Sequence, residues 1–187
     1  MDQDLFRRIE TAVPRTAAWI DDYLYRHAKD TRSVHSLNNP RLAASFPEAL
    51  LRRTKTATLE SIDYPPIESF GLPEFADAAP EGRHGITFKD TYFVRRDVES
   101  ESLHFHELVH IVQWERLGPE RFLLAYGVGL AMHRYRESPL EAMAYSLQQN
   151  FYEGFYRRGL KEYIEEQTDL VWLEVDRLRA SLGGESR

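Results

Sequence analysis

Residues 103–112 constrain the fold of this chain more than any other segment. The segment is largely apolar, yet it includes His106 and His110, and the apolar pattern stops at Gly118-Pro119. A run of this kind predicts a helix that is buried in the core. Histidines four residues apart lie on one face of a helix, with Cβ atoms about 5–6 Å apart. The fold must therefore bury a helix that presents two imidazoles in one direction.

Two imidazoles with this spacing can bind one Zn²⁺ at about 2.0–2.1 Å each. Glu107 directly follows the first histidine. A carboxylate at this place in a His-Glu-x-x-His helix acts as the general base that takes a proton from water. The chain has no cysteine, which excludes disulfides and thiolate zinc sites. Any transition metal must therefore be bound by His, Asp or Glu side chains.

A catalytic zinc usually has three protein ligands, so a third must come from elsewhere in the chain. Glu141 is the best candidate, because it adjoins the apolar stripe of a predicted helix that begins at Ser138-Pro139. A carboxylate that faces the core needs a partner, and a metal ion is one. His133 is the alternative third ligand. His104 is two residues before the first motif histidine, so it points to another side of the helix.

A His-Glu-x-x-His helix followed by a helix-borne glutamate resembles the gluzincin branch of zinc metallopeptidases. Three segments, at residues 85–87, 106–113 and 138–145, are similar to small bacterial zincin-like proteins. The resemblance covers about residues 85–150. It implies that zinc is bound by His106, His110 and Glu141, and that Glu107 is the base. It also implies that the strand before the motif helix is a sheet edge, which pairs with an extended peptide substrate.

One position departs from that family. Thermolysin-like gluzincins have an aspartate four residues after the ligand glutamate, which orients a zinc-bound histidine, whereas this chain has Tyr145 there. We therefore expect other partners to orient the ligands. The oxyanion formed in hydrolysis needs a donor besides the metal. Tyr145 is predicted as a catalytic residue beside Glu107, with Tyr135 and His133 as alternative donors.

Local patterns elsewhere predict a mostly helical α+β fold. Before the motif helix they indicate a helix over residues 2–29 with an interruption at Pro14, a polar connection over 30–46, a short helix over 47–53, a strand over 56–64, a loop over 65–84 with a short helix at 73–79, and a strand over 85–96 whose Lys89-Asp90 interruption is a bulge or a hairpin turn. After residue 100 they indicate helices over about 102–117, 119–134, 138–159 and 160–182.

These elements predict one zincin-like domain over residues 1–187, with a small sheet whose edge strand lies next to the motif helix. An N-terminal part, residues 1–84, precedes the metal-site core of residues 85–150, and C-terminal helices complete the domain over residues 151–187. The helical C-terminal half supplies the third ligand.

Composition limits the classes of partner. Hydrophobic residues make up 42% of the chain, which is typical of a globular domain. The net charge is −6, so the composition indicates no basic surface for nucleic acid. No apolar stretch approaches about 18 residues, so we expect no membrane span. Residues 1–6 do not resemble the start of a signal peptide, and a cytoplasmic location is the expectation.

The sequence therefore predicts a zinc-dependent metallopeptidase that acts on a peptide or protein substrate. The alternative is a catalytically silent zincin-fold protein that serves as a binding or regulatory module. The intact base Glu107 favours the first hypothesis. Substrate specificity and oligomeric state cannot be predicted from these patterns.

Overall fold

The computed structural model describes residues 1–75 and 84–184, which form a mostly helical α+β fold. The helices are α1 (Gln3–Arg26), α2 (Pro40–Ser45), α3 (Glu48–Arg53), α4 (Glu101–Met132), α5 (Pro139–Tyr152) and α6 (Leu160–Gly184). The strands are β1 (Arg32–Ser33), β2 (Lys55–Leu59), β3 (Gly85–Phe88) and β4 (Thr91–Arg95). The predicted fold class is confirmed at this level.

The four strands form one mixed sheet in the order β1-β2-β4-β3. β2 and β4 are parallel, with Ala57 opposite Phe93, whereas β3 is antiparallel to β4. Of the two alternatives predicted at Lys89-Asp90, the hairpin turn is the one present: Lys89 has a left-handed φ of 56° and the chain reverses there. The edge strand beside the motif helix is therefore β3 alone, and β4 lies inside the sheet.

β4 separates two apolar cores. Phe93 points into a core that includes α1, whereas its neighbours Tyr92 and Val94 point into a second core beneath α2 and α3. Successive side chains of a strand face opposite sides of a sheet, which explains this division. The sheet is thus covered on both faces.

The first part of α4 is the centre of the fold. Every side chain over residues 103–114 is buried, and the Ser100 hydroxyl caps the helix by accepting from the Leu103 amide at 3.2 Å. Gly118 breaks the helical backbone with φ 72° and ψ 168°. We call residues 101–117 the motif limb and residues 119–132 the second limb. The predicted end of the motif helix at Gly118-Pro119 is confirmed.

The polar connection predicted over residues 30–46 was wrong. It contains β1, a 3₁₀ turn at Val34–Leu37, and α2. The Asn39 side chain caps α2 by accepting from two backbone amides, and Leu42 and Phe46 are buried in the core. The segment was misjudged because only a few, widely spaced large apolar residues mark its buried side.

Several boundaries also differ from prediction. α1 continues through Pro14, whose ring faces solvent, so the predicted interruption does not occur. β2 ends at Leu59, five residues before the predicted end. α5 ends at Tyr152, before the predicted end at residue 159, because Gly154 adopts a left-handed φ of 83°. The helix predicted over 73–79 is a 3₁₀ turn at Pro73–Phe75, and its remainder lies outside the described residues. Over residues 1–75 and 84–184, no helix is long and apolar enough to cross a membrane.

Candidate metal centre

Two histidines and one glutamate converge between the motif limb and α5. His106 Nε2 lies 3.1 Å from His110 Nε2. Glu141 lies 3.4 Å from the first of these atoms through Oε2 and 3.6 Å from the second through Oε1. Tetrahedral zinc ligands bound at about 2.0–2.1 Å are about 3.3–3.4 Å apart, which is close to this spacing. In the described part of the chain, this buried group alone brings three such residues together, and it can hold a metal ion.

Glutamine side chains orient both imidazoles. His110 Nδ1 donates to Gln113 Oε1 at 2.7 Å, and His106 Nδ1 donates to Gln148 Oε1 at 3.1 Å. Gln113 is itself fixed, because its Nε2 donates to the Leu140 carbonyl at 3.1 Å. An amide oxygen can only accept, so each Nδ1 carries the proton and each Nε2 offers its lone pair to the shared point.

Glu141 is held by one oxygen and leaves the other for a ligand. The Tyr126 hydroxyl donates to Glu141 Oε1 at 2.7 Å. Glu141 Oε2 is fully buried and has no hydrogen-bond partner among the described residues. A buried carboxylate oxygen without a partner is costly. The chemistry of this atom fits a ligand for a cation.

The electrostatics of the group also require a positive charge. Two imidazole lone pairs and a carboxylate oxygen repel one another at these distances unless a cation lies between them. In the metal-free protein a proton on His110 supplies this charge. Burial lowers the pKa of His110, but the Glu141 carboxylate outweighs burial and raises the pKa to about 9. Burial likewise opposes the ionised form of Glu141, yet the two histidines hold its pKa well below the usual value. The residues present therefore fit a metal cation that replaces the proton.

Glu107 is buried beside this group and is framed by β3. The Thr87 hydroxyl donates to Glu107 Oε2 at 2.6 Å. Gly85 lies under the other oxygen, and a Cβ at that position would be only 2.4 Å from Glu107 Oε1. Burial raises the pKa of Glu107, although the nearby histidines and Thr87 partly offset this. A carboxylate with a raised pKa is a stronger base for water.

A cavity of ≈ 150 Å³ opens beside the site. His106, Glu107, His110 and Glu141 form one part of its wall. The remainder comes from α1, the 65–75 segment, β3 and the second limb, together with Trp114 and Tyr135. The helix α1 lies over the cavity as a roof, so the N-terminal part of the chain helps to enclose the site.

The three candidate oxyanion donors lie in different places. Tyr135 lines the cavity, whereas Tyr145 is absent from its wall and packs against the His106 ring, with ring centroids 4.6 Å apart. His133 is exposed at the end of the second limb and is not part of the metal-binding group. His104 also lies outside the group, because its ring bonds to the Tyr92 hydroxyl and to Glu99. Of the predicted donors, the structure brings Tyr135 to the cavity.

Sequence reasoning missed five residues that shape the site. Gln113, Gln148 and Tyr126 bind ligand side chains, and Gly85 and Thr87 frame the base. Gly85 and Thr87 belong to one of the three segments that resemble zincin-like proteins, so a signal for them was present. No local pattern marks Tyr126 or Gln148.

The chain matches no protein-family model, no curated protein and no solved structure. Its resemblance to gluzincins therefore rests on the motif residues and on the geometry of the site.

Proposed function

We propose that this chain is a zinc-dependent hydrolase of peptide bonds with a zincin-like fold. The observation that carries the proposal is the convergence of two histidine Nε2 atoms on the buried Glu141 carboxylate, with Glu107 beside them on the same cavity. One oxygen of that carboxylate, Oε2, has no hydrogen-bond partner among the described residues. The motif limb packs on β3 and β4, and β3 is at the sheet edge, as a zincin-like arrangement requires.

The donor set favours zinc over other metals. Two imidazoles, one carboxylate and an open fourth position form one of the standard catalytic zinc sites. Magnesium and calcium prefer sites made entirely of oxygen ligands. In this proposal His106, His110 and Glu141 hold the ion, and the two glutamines and Tyr126 keep these side chains in place.

A bound zinc ion would acidify water to a pKa of about 7 and polarise the substrate carbonyl. Glu107 takes a proton from the attacking water while the water oxygen forms a bond to the carbonyl carbon. The C–N bond then breaks, and Glu107 passes the same proton to the leaving nitrogen. Because burial raises the pKa of Glu107, this side chain can hold the proton between the two transfers. Tyr135, which lines the cavity, is the proposed donor to the carbonyl oxygen.

The catalytically silent alternative explains less of the site. A binding module needs the metal ligands but has no use for a carboxylate kept in an apolar setting. Glu107 is buried, framed by Gly85 and Thr87, and bears a raised pKa, which are features of a working base.

The first test is the metal content of the protein, purified without chelator and without added metal. We expect about one zinc per chain in the wild type and in His133→Ala, and much less in Glu141→Ala. Zinc that stays in Glu141→Ala but leaves His133→Ala would move the third ligand to His133. A wild-type chain that takes up no zinc, even after addition, would contradict the proposal. A zinc-loaded chain then goes to a peptide cleavage screen.

A further inference from the structure

The cavity beside the metal centre is apolar away from the site itself. Its far wall combines Ile9, Val13 and Ile20 of α1 with Trp114 and Phe122 of α4. Within residues 1–75 and 84–184, the wall includes no Lys, Arg or Asp, and its only glutamates are the two of the site. Such a wall has no partner for a charged group.

The remaining polar groups of the far wall are already used. The Thr16 hydroxyl donates to the Ala12 carbonyl at 2.9 Å. The Trp114 indole donates to the Thr87 carbonyl at 3.1 Å. A group that enters the cavity therefore meets mainly hydrocarbon and aromatic surface, and burying apolar atoms there is favourable.

The volume of the cavity sets the size of that group. At ≈ 150 Å³ it is as large as apolar protein cavities of about 150 Å³ that bind benzene. One leucine or phenylalanine side chain is of this size. A second side chain would have to leave the cavity through its mouth.

The roof is firmly packed. Gly127 of the second limb touches α1 so closely that an added Cβ would lie 2.7 Å from Ile9 Cγ2. The start of α1 is tied down as well, since Gln3 donates to the Leu182 carbonyl at 2.7 Å and Arg8 donates to Glu74 at 2.9 Å. A polypeptide that needs the place of α1 would have to break these contacts.

The edge of β3 is also partly occupied. An extended substrate pairs with a sheet edge through main-chain N–H and C=O groups. In this protein the Thr87 carbonyl already accepts from Trp114, and the Thr87 hydroxyl is committed to Glu107. Pairing of a long peptide along β3, which the resemblance implied, would have to compete with the Trp114 bond at this carbonyl.

We propose that the substrate is a compact amide, such as an acylated amino acid or a dipeptide, whose single uncharged apolar side chain fills the cavity. The proposal rests on the proposed function, because the cavity becomes a substrate site only if the adjoining centre hydrolyses amides. It replaces an extended polypeptide with a small molecule as the preferred substrate.

Binding to zinc-loaded Glu107→Gln, measured by calorimetry, tests this without relying on turnover. The probes are blocked dipeptides that differ only in one side chain (Leu, Phe, Lys or Asp) and an eight-residue peptide with the same leucine at its centre. We expect the Leu and Phe dipeptides to bind at least about tenfold more tightly than the Lys and Asp dipeptides and the long peptide. Hydrolysis by the wild type should follow the same order.

Ala12→Phe fills the cavity from α1, and Ala18→Phe places the same ring on the exposed face of that helix. In the Glu107→Gln background, we expect the first change to weaken Leu-dipeptide binding at least about tenfold with zinc retained, and the second to leave it unchanged. The dipeptide and length series needs neither variant, so it decides the question even if Ala12→Phe does not fold.

Two outcomes overturn the inference alone: equal or tighter binding of the eight-residue peptide, or zinc-loaded protein that binds none of the dipeptides. A chain that cannot hold zinc overturns the proposed function, and this inference with it.

Discussion

The two limbs of α4 differ in what they contribute to the site. The motif limb is buried on every side over residues 103–114 and carries both histidines and Glu107, whereas the second limb is half exposed and carries no predicted ligand or base. Yet the second limb provides Tyr126, which holds Glu141, and Gly127, which receives α1. Within α4 the predicted ligands and the base thus all lie before the break at Gly118, whereas the second limb contributes only contacts that support Glu141 and α1.

This separation has a physical basis. A helix buried on all faces can bring polar side chains together only where each has a partner, and the motif limb meets this condition through Gln113, Gln148 and Thr87. The second limb has buried and exposed side chains, so one of its faces lines the cavity while the other is exposed to solvent. If the division is real, changes in the motif limb should remove chemistry, and changes in the second limb should weaken affinity or packing.

Glu107→Gln tests the motif limb most directly and should have the largest effect. The amide keeps the size of the side chain but cannot take a proton, so we expect turnover to fall by about 10²–10⁴-fold while zinc content stays unchanged. Zinc analysis and kcat on the same preparation check this. Full activity in the variant would show that another residue is the base.

Tyr126→Phe tests the second limb. Loss of the hydroxyl leaves Glu141 Oε1 without its donor, and removal of such a supporting bond typically costs about 10–100-fold in metal affinity. Competition with a chelator measures the change. Tyr152→Phe, at an exposed tyrosine of α5, is the control and should bind zinc like the wild type. Unchanged zinc affinity in Tyr126→Phe would show that the second limb does not support the metal site.

The roles of the limbs were not equally predictable. The motif limb could be predicted because its evidence is local: an apolar run, a fixed His spacing and a Gly-Pro stop all lie within one helix. Glu141 followed from a second local pattern, a carboxylate beside an apolar stripe. These residues do meet in the structure.

Tyr126 could not be predicted in this way. Its contact with Glu141 depends on the direction in which the chain leaves Gly118, and neither φ nor ψ of that glycine follows from the sequence. The position of α1 over the cavity could not be predicted from the sequence either. Ile9 and Val13 form an ordinary apolar stripe in the sequence, and only the packed fold shows that they line a cavity at the metal centre. The short helix α2 was missed for a related reason, since only Leu42 within it and Phe46 just after it are buried in the core.

The proton that stands in for the metal gives a smaller, pH-dependent effect. Folding raises the pKa of His110 from 6.5 to about 9, so its protonated form stabilises the metal-free protein. This stabilisation is complete below pH 6.5 and is lost as the pH rises through about 9. Zinc must displace the proton, so zinc affinity should instead increase, by about tenfold per pH unit, over the same range.

Urea unfolding of the chelated protein and chelator competition across this range check the two opposite slopes. The zinc-loaded protein is the control for the first, because it no longer carries the proton and its unfolding should lack this dependence. Affinity that is flat with pH would mean that His110 is neutral in the metal-free site.

Two glycines, one packed against each limb or lying within it, allow the same small change to be compared at the two limbs. Gly85 lies against the base of the motif limb, and Gly127 of the second limb lies against Ile9; an added Cβ would come within 2.4 Å and 2.7 Å of its neighbour, respectively. Alanine at either position should destabilise the fold by about 1–3 kcal/mol, because the neighbour is buried and must shift. Gly183→Ala, where an added Cβ meets open space, should not destabilise it.

Activity then separates the two variants. Gly85→Ala displaces Glu107 and should lower kcat with zinc retained, since the metal ligands are untouched. Gly127→Ala moves the roof, so its effect should fall on KM for a compact apolar substrate and leave kcat nearly as it was. Urea unfolding and steady-state kinetics on the two variants measure both quantities. A matching loss of kcat in both would mean that the second limb also positions the base, and the boundary at Gly118 would lose its functional meaning.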